Sequence, residues 1–361
     1  MNPEEPQKKF AREDSVRSFL QDIKTSSVTE QRAIVAFKFG GSSLLGAERM
    51  LHAAALVGDA AGNKNVAVVV SAMKGVTDRL LAIARSLAAG CRTDARRDAE
   101  YVFRQHTQVL RDLSLDSQEH ERVSRDLHLL GGDLLHDASP DVQPVAGLLG
   151  ALQDRVASYG ERMAARLFAA ALKKSGVDAV PVSSSEFVLT CDTFRDARPQ
   201  MEETRRRGRE ILLPLFHDGL VPVVTGFIGA TSDGRVTTLG RNSSDFSGAL
   251  IAHVIEADEL VIWTDVDGIY TVNPHESEEA KLLHELSYDQ AHALTSAGAK
   301  VIHAKVFPLA AETEMIVWVR NTFKPQLRGT RIGPCTAGKG AQNSSVAAPR
   351  GCHNSNSRGA A

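Results

Sequence analysis

Apolar residues along this chain follow two spacings, and the switches between them set out the elements. Short unbroken apolar runs occur at Ile34–Phe39 (IVAFKF), Val66–Ala72 (VAVVVSA), Ala179–Val182, Val221–Thr225 (VPVVT), Glu259–Thr264 (ELVIWT) and Met315–Asn321 (MIVWVRN). Runs of this length and β-branched content predict strands buried on both faces of a parallel sheet. Between them apolar positions recur at helical spacing, through Met50, Leu51 and Leu56, through Leu80, Leu81 and Ile83, and over Tyr159–Leu172, Arg198–Phe216 and Gly248–Ile255. Residues 93–135 are charged and helix-periodic without a strong strand, an all-helical excursion from the sheet. Strands alternating with helices predict the α/β class, a sandwich around a mostly parallel central sheet. Ligands of such sheets bind beyond the carboxyl ends of the strands.

The two ends of the chain read differently. Residues 1–32 form a polar extension with one amphipathic pattern around Ser15–Ile23; their mixed acids and bases fit neither a secretory signal nor a transit peptide. After Ile332 the composition turns to Gly, Ala, Ser and Asn, which predicts a disordered tail over 333–361. The 361 residues, 43% hydrophobic and 24% charged, have the balance of an ordinary globular protein. A net charge of -2 predicts neither a nucleic-acid partner nor an anionic membrane. No apolar run is long enough to cross a bilayer. Cys91, Cys191, Cys335 and Cys352 are scattered, so neither a disulfide framework nor a zinc site is expected, and the cytoplasm is the expected location.

Six polar clusters stand out, most of them at predicted strand ends. In Val236–Ser247 (VTTLGRNSSDFS), Ser243, Ser244 and Asp245 stand at the start of the Gly248–Ile255 helix, where free N–H groups favour an anion. Arg241 adds a fork suited to carboxylate or phosphate, although Ser and Asp are also ordinary capping residues. In KFGGSS, Lys38 ends a strand before Gly40, Gly41 and Ser42, and a phosphate could approach that bare backbone; an ordinary Gly-Gly turn reads the same way. SAMKGVTD places Ser71 and Thr77 at the end of the next strand, as ligand hydroxyls or as a helix-capping turn. Glu161 in YGERMAARL would bind a cation if it faced a cleft, whereas a Glu-Arg pair in mid-helix is most often a solvated ion pair. WTDVDGIYTVNP offers Thr264, Asp265, Asp267 and Tyr270 to a nucleotide or Mg2+, or makes a tight turn, and AGAKVIH sets Lys300 between a helix and a short strand within reach of phosphate.

As an ordered set, KFGGSS, SAMKGVTD, GERMAARL, TGFIGAT with TTLGRNSSD, WTDVDGIY and GAKVIH resemble the aspartokinase family of the amino-acid kinase superfamily. The resemblance covers about residues 33–332, and the LGRNSSDFS and NTFKPQLRGTRI forms are most similar to the kinase half of bifunctional aspartokinase–homoserine dehydrogenases. It implies a three-layer αβα sandwich of the carbamate-kinase type, with an amino-acid lobe at about 33–220 and a nucleotide lobe at about 221–332. It further implies MgATP-dependent phosphorylation of the side-chain carboxylate of L-aspartate to 4-phospho-L-aspartate, on the route to lysine, threonine and methionine.

By the same resemblance Lys38 contacts the transferred phosphoryl group, Gly40 and Gly41 give backbone donors beside Ser42, and Asp245 orients Lys38. Thr77, Glu161, Arg241 and Ser244 hold aspartate, with Glu161 on its α-ammonium and Arg241 on its α-carboxylate; Thr264, Asp265, Tyr270 and Lys300 serve the nucleotide. No residue is assigned as a dedicated metal ligand. A carboxylate nucleophile has a pKa of about 4 and needs no general base at neutral pH, which suits an inventory without a Ser-His-Asp arrangement.

Three departures stand against the family pattern. Asn273-Pro274-His275 replaces the usual Asp-Pro-Arg, and His303-Ala304 replaces His-Pro. The chain also stops where paired ACT-type regulatory domains usually follow, so no feedback inhibition through them is expected and the oligomeric state, a homodimer included, is open. The other readings are a diverged amino-acid or carboxylate kinase of a specialised pathway, and a non-catalytic subunit of a kinase complex.

Overall fold

A computed structural model describes residues 32–139, 149–240, 243–272, 274, 276–296 and 302–334. The six apolar runs form consecutive strands of one eight-stranded sheet, with Ala179–Val182 at its edge. Its elements in chain order begin with β1 (Ile34–Phe39), helix α1 (Ala47–Ala61), β2 (Asn65–Val70), α2 (Val76–Ala88), α3 (Arg92–Asp112), α4 (Ser117–Asp137) and α5 (Leu149–Lys174). There follow β3 (Ala179–Val182), α6 (Met201–His217), β4 (Val221–Thr225), the hairpin of β5 (Ile228–Ala230) and β6 (Val236–Thr238), α7 (Ser244–Val254) and β7 (Glu259–Thr264). The last elements are β8 (Ile269–Tyr270), β9 (Leu282–Leu283), β10 (Glu285–Leu286), α8 (Tyr288–Ser296), α9 (Val306–Glu312), β11 (Ile316–Asn321) and β12 (Thr330–Ile332).

The sheet runs β10-β12-β11-β7-β1-β2-β4-β3, parallel from β11 to β3, with β12 antiparallel to β11. Side chains alternate across its faces. On one face Val35, Phe37, Phe39, Val66, Val68, Val70, Val223, Val261 and Trp263 join the core built with α1 and α5. On the other, Ala36, Val69, Val224, Leu260, Ile262, Val317 and Val319 meet α7 and α9. Both faces being covered, the inner strands need apolar residues at nearly every position, which is why they read as unbroken runs.

The expected helical excursion is the pair α3 and α4, packed on α2 and α5. The pattern around Ser15–Ile23 and the tail from 335 onward lie outside the described residues. A short strand was expected after Lys300; Ile302–Ala304 instead forms a bend and turn leading into α9. No helix among the described residues is long and apolar enough to cross a membrane. Because β1, β2, β4, β7 and β11 are parallel, their carboxyl ends open on one edge, and KFGGSS, SAMKGVTD, TGFIGAT and WTDVDGIY lie there at the ends of β1, β2, β4 and β7.

Candidate active site

Lys38 is the penultimate residue of β1 and is only 7% exposed. A buried ammonium needs a partner, since isolated burial of a charge costs several kcal/mol. Asp245, in the first turn of α7, supplies it at 2.6 Å from Lys38 Nζ. The second oxygen of Asp245 accepts from the His303 backbone N–H at 3.3 Å, so the carboxylate is held from two sides. Helix α7 can lie this close because Gly248 has no side chain: a Cβ there would sit 3.1 Å from Lys38 Cβ.

Beyond Lys38 the chain turns through Gly40 into a 3-10 turn at Gly41–Leu44. A Cβ on Gly41 would fall 2.5 Å from the Ala72 carbonyl oxygen and 2.9 Å from the Lys74 nitrogen, so this loop rests directly on the loop that follows β2. Ser71 N–H donates to the Phe39 carbonyl at 3.2 Å and Lys74 N–H to the Gly41 carbonyl at 3.0 Å. Gly40 N–H donates to the Trp263 carbonyl at 3.2 Å. In this structure the Gly40 amide is thus engaged at the end of β7.

Glu161 does not form the solvated pair that its place in a helix suggested. It is 3% exposed, and Arg162 lies over the Tyr159 ring instead. Glu161 Oε1 accepts from the Ala72 N–H at 3.1 Å, and Oε2 has no partner among the described residues. Burial pushes the carboxyl up to about 8, against a smaller opposing pull from the Ala72 bond. Of the other buried side-chain atoms without a hydrogen-bond partner among the described residues, two stand near this edge, Ser71 Oγ after β2 and Ser243 Oγ at the head of α7, whereas others such as His106 Nε2 and His253 Nδ1 lie elsewhere. Buried polar atoms are nearly always hydrogen-bonded, so orphans gathered at strand ends mark places for a polar ligand. Thr77, in the first turn of α2, and Ser244, the first residue of α7, are half-buried at the same edge.

On the β7 side Thr264 is half-buried, Asp265 exposed and Tyr270 half-buried. The two acids of the DVDG run do not work as a pair. Asp267 accepts from Asn321 Nδ2 at 2.5 Å and from Lys324 Nζ at 3.1 Å, whereas the side-chain donor to Asp265 is Thr264 Oγ1 at 3.4 Å. Asp267 therefore anchors the turn to β11. Ser43 bonds Thr322 hydroxyl to hydroxyl at 2.6 Å, fastening the turn after β1 to the same strand end. Arg241, Asn273, His275 and Lys300 lie outside the described residues. A cavity of about 530 Å³ opens on the flank of the sheet between Phe37, Trp318, Arg320 and Arg328, and none of the residues singled out from the sequence lines it.

Sequence reasoning missed the anchoring residues Asn321 and Lys324, and also Asp154 of α5, whose carboxylate binds the end of β6 at Thr238. Asn321 stands in the NTFKP run, already part of the pattern. For Asp154 the signal available was its spacing of seven from Glu161, two helical turns on one face.

Comparison with known proteins bears on this geometry. The family model described as the amino acid kinase family matches residues 33–321. The lysine-sensitive aspartokinase 3 of Escherichia coli K12 is 33% identical over 303 residues, which are 83% of this chain and 64% of that protein. The chloroplastic aspartokinase 1 of Arabidopsis thaliana is 30% identical over 322 residues, covering 88% of this chain and 55% of its own length. The solved structure of E. coli aspartokinase III in complex with aspartate and ADP superposes with a TM-score of 0.72 at 30% identity, over 83% of this chain and 64% of that one. The chain thus spans between about half and two thirds of the length of these relatives.

Proposed function

We propose that this chain, which belongs to the amino acid kinase family, transfers the γ-phosphoryl group of MgATP to the side-chain carboxylate of L-aspartate. The product is 4-phospho-L-aspartate, and the reaction would open a route to lysine, threonine and methionine. The observation that carries the reading is the pairing of two features at one sheet edge. A buried lysine is fixed by Asp245, and a buried carboxylate, Glu161, has one oxygen waiting for a donor. The two are linked through the touching loops after β1 and β2, where Gly41 meets Ala72 and Ala72 holds Glu161.

In this assignment the aspartate α-ammonium fills the vacant side of Glu161, and its charge draws that carboxyl into the ionised form. Arg241 takes the α-carboxylate, while Thr77 and Ser244 give hydroxyl contacts. The β-carboxylate then points at Lys38. It is already ionised at neutral pH, so no base is needed; alignment and neutralisation of charge on the phosphoryl oxygens remain to be supplied. Lys38 does the second, and Asp245 keeps its ammonium aimed along the loop of Gly41 and Ser42. Thr264, Asp265, Tyr270 and Lys300 bind the nucleotide. Mg2+ enters as part of the substrate, chelated mainly by ATP oxygens and water. The lobe up to about 220 then holds most of the amino-acid site and the lobe from about 221 most of the nucleotide site, with Arg241 and Ser244 reaching back to aspartate and Lys38, Gly41 and Ser42 reaching forward to the phosphoryl group. The aspartate and ADP of the E. coli aspartokinase III structure support this pair of ligands.

The test is hydroxamate formation from aspartate and MgATP, with glutamate, N-acetylglutamate and succinate as competing acceptors. Aspartate is expected to be the preferred substrate. Turnover of another acid with none of aspartate would replace the assignment.

A further inference from the structure

Thr322 follows directly on β11 and is 0% exposed. Each of its polar groups goes to a different element. Its N–H donates to the Thr264 carbonyl, at the end of β7, at 2.8 Å. Its carbonyl accepts from His52 Nε2 of α1 at 2.7 Å. Its hydroxyl pairs with the hydroxyl of Ser43, in the turn after β1, at 2.6 Å. The next residue adds a second tie to that turn. The Arg49 guanidinium lies 4.9 Å over the Phe323 ring, and its Nη1 donates to the Ser42 carbonyl at 2.7 Å. On the other side Asn321 and Lys324 hold Asp267, in the turn after β7. Residues 321–324 therefore join the loop after β1 to the turn after β7.

The two segments so joined are the two ends of the nucleotide site assigned above: Gly41 and Ser42 on the phosphoryl side, Thr264 and Asp265 on the other. A pair of apolar groups of the same shape would fill the space of the Ser43 and Thr322 hydroxyls at little cost to the fold. What such a pair could not do is fix the loop in one place, and a shift of about 1 Å in a positioning group can cost about 10²-fold in rate. We propose that Thr322 is a positioning residue for MgATP: by holding Ser43 against the end of β7 it sets the span between the loop of Gly41 and Ser42 and the turn of Thr264 and Asp265. The proposal deepens the nucleotide half of the functional reading and does not depend on which acid accepts the phosphoryl group.

Calorimetric titration with MgADP, which needs no acceptor, and steady-state kinetics with MgATP and aspartate varied in turn test it. The full chain carries Thr322→Val, Ser43→Ala, both together, or Thr322→Ser. Each of the first two leaves a buried hydroxyl without its partner and should lower the melting temperature; the double variant leaves none and should regain most of that loss. We expect Kd for MgADP and KM for MgATP to rise about fivefold in both single variants and to stay raised by about the same factor in the double, since the tie is broken in all three. KM for aspartate is expected within about twofold of wild type throughout, and Thr322→Ser, which keeps the hydroxyl, within about twofold in every constant. Nucleotide affinity that recovers together with stability in the double variant, or that is unchanged in it, overturns the positioning role and leaves the bond to the fold alone. A parallel rise in KM for aspartate overturns it as well. A wild type that binds MgADP and forms no aspartyl hydroxamate overturns the aspartate assignment, while the MgADP titrations still decide this proposal; a wild type that binds no MgADP overturns both.

Discussion

Burial holds the Glu161 carboxyl at about 8 against an ordinary 4.5, so without ligand it keeps its proton at neutral pH. An ammonium against Oε2 reverses that preference. Aspartate binding at pH 7 is therefore expected to release about one proton, read from the dependence of the calorimetric enthalpy on the ionisation enthalpy of the buffer; no release would mean that the ammonium does not meet Glu161. The same shift has a sign for stability. As pH rises from 4.5 to about 8 the unfolded chain loses this proton before the folded one does, so the contribution of Glu161 to stability falls across that window. Glu161→Gln removes the titration. Its melting temperature should gain on the wild type between pH 5 and pH 9, while aspartate binding is lost. At Lys38 the expected outcome of Lys38→Ala, and of Lys38→Met, which keeps the stem against Gly248, is a loss in kcat of about 10³-fold. Circular dichroism should remain native, and near-normal turnover by either variant would exclude the assigned role. The pairing of Lys38 with Asp245 was legible through the ordered motifs, but the setting of neither Lys38 nor Glu161 was legible in its own fragment. Lysine before Gly-Gly and Glu-Arg in mid-helix are common surface patterns, and only the loops packed over them distinguish these cases.

At the scale of elements, the loops after β1 and β2 behave as one unit because Gly41 lets their backbones touch. Gly41→Ala drives a methyl into the Ala72 carbonyl and must part them. The expected result is at least about a tenfold rise in KM for MgATP together with a lower melting temperature; a variant with wild-type kinetics would show that the contact has no part in nucleotide binding. The strands Ala179–Val182, Val221–Thr225 and Glu259–Thr264 begin and end where the apolar pattern puts them, since a strand covered on both faces has little freedom in composition. The two- and three-residue strands β5, β6, β8, β9, β10 and β12 were not legible. A period of two needs more positions than they contain. The hairpin of β5 and β6 is held by Asp154, a long-range bond with no local trace in the sequence.

Across the whole molecule one sheet carries both sides of the proposed site, with a core on each face, so ligands bound at its edge bridge elements far apart in sequence. Aspartate and MgADP together should raise the melting temperature more than either alone; at a concentration of 100 Kd each ligand adds about 2.7 kcal/mol. Failure of aspartate to shift the transition at any concentration would count against it as the acceptor. The unbroken apolar runs and four of the motifs, KFGGSS, SAMKGVTD, TGFIGAT and WTDVDGIY, were enough to anticipate this architecture, because these four mark the ends of the parallel strands β1, β2, β4 and β7. The reversed edge of β12 and β10 was not anticipated, as nothing in short polar strands fixes their direction.

The bond from Gly40 to the carbonyl of Trp263 has an optical consequence. Trp263 is one of two tryptophans in the chain, and its indole is 3% exposed and stacked on Phe39 of the adjoining strand. Any shift of the glycine loop as nucleotide enters is thereby expected to reach a chromophore packed on Phe39 and covered by the Arg320 guanidinium. Removing the other indole with Trp318→Phe should leave a protein whose ultraviolet emission follows occupancy of the nucleotide site directly, without a label.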